Sequence, residues 1–250
     1  MLTIAHLSDP HLDLSEARRH RFEAVLREVA ALPSVDALLV SGDLADHGLA
    51  EEYASVFAEL PDDVPQLVCA GNHDLTAPLS AALRDVGRSG RMNDTLVIGD
   101  LTIIALDSHI DGRDDGLLTP ETLDFARGAI AAAPGSVALM MHHPPVPIGH
   151  HVVDEQYALA NPGDLAAIVR DNPAVAAIFT GHIHAAFTTT FAGVPVLGAP
   201  GIVSAMRLGS RVNPIADPDA LPGFALHTVE GAAIRTVFHT LSPRALSRGD

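Results

Sequence analysis

LTIAHLSDPH, residues 2–11, joins an apolar run of strand length to a turn that carries Asp9 and His11. A short apolar run bounded by turn residues reads as a buried strand. The same grammar recurs along the chain. DALLVSGD (36–43) ends on Gly42-Asp43, and PQLVCAGNHD (65–74) ends on Gly71-Asn72-His73-Asp74. VALMMHHPP (137–145) carries His142-His143, and AAIFTGHIH (176–184) ends on Gly181-His182-Ile183-His184. Each run is followed at once by hard or borderline metal-ligand types, and loops at strand ends are where sites form. Five strand ends can converge on one point.

Amphipathic segments lie between these runs. Residues 15–32 place Phe22, Val25, Leu26 and Val29 at i, i+3, i+4 and i+7, with Ser15 as N-cap, which predicts a helix. Residues 51–60 repeat the pattern with Tyr53, Val56, Phe57 and Leu60, and Thr119-Pro120-Glu121 and Asn161-Pro162 start two more helices. Gly99-Asp100, between TLVI and LTIIAL, reads as a two-residue hairpin turn, and 187–197 and 224–238 read as extended, antiparallel segments. The order predicts an α/β fold with mixed sheets. No internal repeat interrupts it, so one domain over residues 1–241 is expected, followed by a polar tail at 242–250.

Composition bounds the chemistry. The 250 residues are 48% hydrophobic, enough for one sizeable core. No run of about 18 apolar residues spans a membrane, and the first residues lack a basic-then-apolar leader, so a cytoplasmic protein is expected. Cys69 is the single cysteine, which excludes an intrachain disulfide and a thiolate metal cluster and leaves nitrogen and oxygen ligands for any metal. A formal charge of -16 opposes the coating of a nucleic-acid polymer. All fifteen basic residues are arginine, which removes Schiff-base lysine chemistry and the P-loop lysine.

Two dications held about 3.5–4 Å apart need a shared ligand, and a carboxylate serves because it has two oxygens. Asp43, alone in its cluster, suits that bridge. The i, i+2 pairs Asp9-x-His11 and His182-x-His184 put both side chains on one side of an extended backbone. Mixed imidazole, carboxylate and amide ligands suit Mn, Fe, Co or Zn better than the all-oxygen cages of Mg or Ca, and Mn or Fe is favoured.

Taken together, D-x-H, G-D, G-N-H-D, H and G-H-x-H, running from Asp9 through His184, resemble the calcineurin-like metallophosphoesterase superfamily. The flanking text SDPHL, SGDLADHG, HHPP and FTGHIH is most similar to the bacterial class III cyclic nucleotide phosphodiesterases, a branch that also contains glycerophosphodiesterases. The resemblance implies a four-layer αββα sandwich of two mixed β-sheets flanked by helices. It also implies Asp9, His11, Asp43 and His184 on one metal and Asp43, Asn72, His142 and His182 on the other, with His142 preferred to His143. His73 is implied as a non-ligand histidine acting on the phosphate or the departing alkoxide, with Asp74 orienting its ring. His150-His151 and Arg207 are lesser candidates for the pocket edge, while the acidic turn 111–115 reads as solvated.

The expected partner is a small phosphodiester, with 3′,5′-cyclic nucleotides such as cAMP first and glycerophosphodiesters second. A nuclease, a phosphomonoesterase and a catalytically silent interaction module rank below these, the last because every ligand position is occupied. A homodimer is compatible with this expectation.

Overall fold

The computed structural model describes residues 1–207, 215–231 and 233–246. The first third alternates strand and helix: β1 (Leu2–Leu7), α1 (Glu16–Ala30), β2 (Ala37–Ser41), α2 (Ala50–Glu59), β3 (Gln66–Cys69) and α3 (Thr76–Asp85). Next come β4 (Asp94–Ile98), β5 (Leu101–Ala105), α4 (Pro120–Ala132), β6 (Ser136–Met141), α5 (His151–Gln156), α6 (Pro162–Asp171) and β7 (Val175–Thr180). The remainder is mostly extended: β8 (Phe187–Phe191), β9 (Val194–Gly198), β10 (Ala205–Met206), β11 (Ala216–Asp217), β12 (Gly223–Glu230), β13 (Ala233–Thr240) and a last short helix, α7 (Pro243–Leu246).

Two mixed sheets result. One has the order β13-β12-β1-β2-β3, in which β1, β2 and β3 run parallel and β12 returns antiparallel along β1. The other has the order β4-β5-β6-β7-β9-β8, with β5, β6, β7 and β9 parallel and the outer strands β4 and β8 antiparallel. The β4–β5 turn is the expected one, Ile98 pairing with Leu101 across Gly99-Asp100.

Three apolar clusters define four layers. Ile4, Leu39 and Cys69 of the first sheet meet Ile103, Met140 and Phe179 of the second, which is the seam between the sheets. On the outer face of the first sheet, Phe22 and Val25 of α1 and Tyr53 and Val56 of α2 pack on Leu7, Leu38 and Val40. On the outer face of the second, Leu123 and Ile130 of α4 and Leu165 and Ile168 of α6 pack on Leu139 and Ile178. Buried on both faces, the central strands read as continuous apolar runs instead of alternating ones.

Local chemistry fixes several helix starts. Ser15 Oγ accepts from Arg18 N at 3.4 Å and Thr119 Oγ1 from Thr122 N at 3.2 Å, satisfying first-turn N–H groups. α3, not anticipated from sequence, has an apolar N-cap, Leu75, and takes its cap from elsewhere: the Asp111 carboxylate accepts from Thr76 N at 2.9 Å. The acidic turn 111–115 therefore caps a helix as well as facing solvent. Of the expected tail, residues 243–246 form α7 against α1, where His20 Nε2 meets the Leu246 carbonyl at 2.6 Å, and 247–250 lie outside the described residues. No helix among the described residues is long and apolar enough to cross a membrane.

Candidate metal centre

The five clusters all follow the carboxyl ends of parallel strands: Asp9 and His11 after β1, Asp43 after β2, Asn72 and His73 after β3, His142 after β6, His182 and His184 after β7. Main-chain hydrogen bonds lace these ends together. Asp9 N donates to Gly42 O at 3.3 Å, His11 N to Asp43 O at 2.9 Å, and, within the second sheet, Gly181 N to His142 O at 3.1 Å.

The backbone that aims the side chains is strained. Seven non-glycine residues among those described have positive φ, and five of them are Asp9, His11, Asp43, His182 and His184, at 46–69°. Such conformations cost roughly 1–2 kcal/mol each for a residue with a Cβ. They persist where surrounding contacts over-determine them, as at ligand clamps. Gly71 has a different reason to be glycine, since a Cβ there would overlap the Asp43 main chain and carboxylate.

Three groups of ligand atoms converge among the described residues; one is His11, Asp46 and His73, and the other two share one member. Asp9, His11, Asp43 and His184 offer atoms within 4.8 Å of one another, and so do Asp43, His142 and His182. Asn72 Oδ1 lies 3.0 Å from His142 Nε2 and joins the second group. Asp43 stands between them in an unexpected way. Its Oδ1 accepts from His73 N at 2.9 Å, while Oδ2 alone faces both groups, 3.2 Å from His11 Nε2 and 3.4 Å from His142 Nε2. A cation pair held here would be offered one oxygen of Asp43 in place of the expected two, because the other is committed to the main chain.

Each imidazole is held by its outer nitrogen. His11 Nδ1 meets Asp46 Oδ1 at 3.0 Å, His142 Nδ1 the Ser41 carbonyl at 2.7 Å, His182 Nε2 the Tyr157 carbonyl at 2.9 Å, and His184 Nδ1 the Ser204 hydroxyl at 2.7 Å. Outer partners of this kind fix tautomer and ring orientation in metal sites. The inner nitrogens then crowd one another, His11 Nε2 to His184 Nε2 at 3.2 Å and His182 Nδ1 to His142 Nε2 at 3.1 Å. Asp9 completes the picture: Oδ1 accepts from His182 N at 3.1 Å, but Oδ2 is buried without any protein partner. Converging lone pairs and an orphaned buried carboxylate oxygen fit a pair of cations.

The charges point the same way. Burial pulls His11 down, but Asp43, Asp46 and Asp9 outweigh it and raise it to about 10. Burial likewise opposes His142, yet Asp43, Asp9 and the Ser41 carbonyl raise it to about 9. His182 is lowered to about 3 by burial and then by His142, and His184 is lowered by burial. At neutral pH the metal-free cluster thus takes up protons on His11 and His142 beside ionised Asp43, whose carboxyl those two imidazoles hold far down against the effect of burial.

Ligation needs both imidazoles unprotonated, so metal must displace these protons and acid must weaken it. Below about 9 both groups compete, and the apparent affinity is expected to fall by up to about a hundredfold per pH unit. Calorimetry of Mn binding at pH 7 in buffers of differing ionisation enthalpy should count about two protons released per chain. A count of zero would contradict the charge assignment.

Three expectations are corrected, and the exclusion of His143 holds. Asp74 does not orient His73: both of its oxygens accept main-chain N–H groups, Oδ1 from Ala45 and Oδ2 from Leu44 and Gly71, which clamps the loops after β2 and β3. The ring of His73 is instead held by the Asp46 carbonyl, 2.9 Å from Nδ1. His150 is buried as the N-cap of α5 and His151 is exposed beside Glu155, so the pocket receives Val153 and Tyr157 instead. Arg207 lies 3.7 Å from Asp217 and does not line the pocket, and residues 208–211 of the segment it was read in lie outside the described residues. His143, passed over as a ligand, is buried with Nδ1 on Ser108 Oγ at 2.9 Å and Nε2 3.3 Å from the Asp114 carbonyl, so its nitrogens are engaged away from the cluster.

Asp46 and Arg18 were missed. Arg18 Nη1 reaches both Asp46 Oδ1 and the His11 carbonyl at 2.7 Å. Burial would raise the Asp46 carboxyl, but His11 and Arg18 hold it well below the usual range. The signal available was a second aspartate three residues after Asp43 in GDLAD.

Comparison with known proteins identifies the family and the fold. The family model for calcineurin-like phosphoesterase matches residues 2–186. The chain is 31% identical over 218 residues to a 3′,5′-cyclic adenosine monophosphate phosphodiesterase of Pseudomonas aeruginosa, covering 83% of this chain and 78% of the relative. It is 30% identical over 219 residues to a glycerophosphodiester phosphodiesterase of Enterobacter lignolyticus, covering 81% and 78%. Among solved structures, a dimetal phosphatase from Danio rerio superposes with a TM-score of 0.67 over 96% of this chain and 99% of that one, at 13% identity, and so shares the fold.

Proposed function

The chain belongs to the calcineurin-like phosphoesterase family, and from that premise we propose that it hydrolyses phosphodiesters, 3′,5′-cyclic nucleotides such as cAMP first among them. The observation that carries the reading is the single oxygen, Asp43 Oδ2, common to two groups of nitrogen and oxygen donors. Asp9, His11, Asp43 and His184 would hold one divalent ion and Asp43, Asn72, His142 and His182 the other. Mn and Fe suit this donor set, with Zn or Co as substitutes. When bound, two such ions supply Lewis acidity at the phosphoryl group and acidify the attacking water.

The chain's own groups do the rest. Asp46, Ser41, Tyr157 and Ser204 keep the imidazoles aimed. His73 lines the same cavity as His11, Asp43 and His184, with 41% of its side chain exposed, and its Nε2 is the atom from which a proton passes to the departing alkoxide.

A second reading, hydrolysis of glycerophosphodiesters, is supported by the Enterobacter relative. The reading includes a cytoplasmic location and admits a homodimer. A hydrolysis panel with added Mn tests it, comparing 3′,5′-cyclic and 2′,3′-cyclic nucleotides, a glycerol diester, a simple monoester and single-stranded DNA. Diesters, led by 3′,5′-cAMP, should turn over fastest. Dominant turnover of the monoester would overturn the diesterase reading, and a chain without bound transition metal or Mn-dependent activity would be an interaction module.

A further inference from the structure

Beside the metal centre the cavity continues, about 650 Å³ in all, between two apolar arms. One arm is Val153 and Tyr157, from α5 and the residue that ends it; the other is Met206, Ile215 and Pro218, on and around the β10–β11 ladder. Both arms are tied directly to the histidines of the His182-x-His184 pair. The Tyr157 carbonyl meets His182 Nε2 at 2.9 Å, and Met206 N donates to the His184 carbonyl at 3.1 Å. The second arm is tied again at its base, where Ile202 N donates to Ser8 O and Val203 N to Asp9 O, both at 3.1 Å. Arg21 spans the same segment, its guanidinium donating to the carbonyls of Ile202 at 2.8 Å and Ala220 at 2.6 Å. The arms are therefore held in register with the reacting centre.

A phosphodiester seated on the metals must send its larger substituent into this space. A glycerol headgroup is small and polyhydroxylated, and it needs walls of donors and acceptors. The arms offer Val153, Met206, Ile215, Pro218 and one phenol ring, and the polar lining groups beside them are already engaged: Arg18 with Asp46 and the His11 carbonyl, Arg21 with the Ile202 and Ala220 carbonyls, Ser204 with His184. A flat heterocycle, with two apolar faces and a polar edge, matches such walls, since stacking on an aromatic or apolar face depends little on the base.

We propose that the two arms form the seat of the substrate's nucleobase and so set this chain's preference for cyclic nucleotides over glycerol diesters, an inference that rests on the phosphodiesterase reading above. The seat grips the base by its faces, and the phosphate is left to the metal centre. Removing a wall should then act on substrate binding more than on the chemical step.

The test uses the Mn-loaded full chain with Tyr157→Ala and Met206→Ala, neither of which removes the main-chain atom that holds a histidine. Each is expected to raise KM for cAMP about tenfold with kcat within about twofold, and to lower the ratio of kcat/KM for cAMP to that for glycerophosphoethanolamine about tenfold. Ile215→Ala serves where either variant melts early. Unchanged KM for cAMP in the variants, or equal losses on both substrates, would overturn the seat while leaving the diesterase reading in place. Should the wild type hydrolyse no diester, that reading falls, and the seat is judged by calorimetric binding of adenosine 5′-monophosphate. Binding weakened about tenfold by the same variants supports it, and equal binding refutes it.

Discussion

Asp43→Asn is expected to strip the protein of both metals and to lower kcat/KM for its best diester at least a thousandfold, on the order of the losses seen when charge stabilisation at a reacting centre is removed. The carboxylate has two different jobs on its two oxygens. Oδ1 accepts from His73 N, and Oδ2 alone faces both His11 Nε2 and His142 Nε2. An amide can satisfy only one of these. With its NH2 toward His73 it opposes one donor to another; turned round, it points N–H groups at the place where two lone pairs must converge. It also deletes the negative charge that lifts His11 and His142, so the cation pair loses its shared counter-ion. Elemental analysis after gel filtration should find well under one metal per chain. Two retained equivalents together with near wild-type turnover would show that Asp43 is not the shared ligand and would undo the dinuclear assignment.

What made the centre legible was position along the chain. A parallel strand delivers its next residues to the carboxyl edge of the sheet, so five ligand clusters that each follow a strand had one place to meet. Helix starts were legible where the cap was local, as with Ser15 and Thr119. Where the cap came from afar the helix went unseen: α3 begins at an apolar Leu75 and is capped by Asp111, thirty-five residues beyond Thr76. The same limit hid the outer partners. Ser204 reaches His184, and the Tyr157 carbonyl reaches His182, through loops without periodicity, and a main-chain acceptor leaves no mark in the residue types at all. The misreading of Asp74 is of this kind. Sequence adjacency to His73 suggested a carboxylate–imidazole pair, but a fully buried carboxylate next to three free N–H groups of two loops binds those instead. The left-handed backbone at Asp9, His11, Asp43, His182 and His184 was equally silent, because only glycine announces positive φ.

His73→Ala separates metal holding from chemistry. The main-chain N–H of His73, not its ring, is what touches Asp43, so truncation at Cβ leaves the bridge carboxylate anchored and both metals in place. The lost ring is pinned at Nδ1 by the Asp46 carbonyl, an acceptor that requires a proton on that nitrogen, and the remaining nitrogen, Nε2, is the one that gains or gives a proton. Its neighbours are part of the centre: the ring packs edge-on to His11 with centroids 4.5 Å apart and lines the cavity where the substrate sits. If His73 protonates the departing alkoxide, kcat for cAMP should fall about 10²–10⁴-fold with metal content unchanged. The decisive readout is the dependence on leaving group. An alkoxide leaves badly without a proton, whereas p-nitrophenolate scarcely needs one, so bis(p-nitrophenyl) phosphate should lose far less activity in the variant than cAMP does. Equal losses on the two substrates would make His73 a phosphate-binding group instead of a proton donor. A wild-type rate on both would remove it from the mechanism, leaving the metal centre with no acid supplied by the loop after β3.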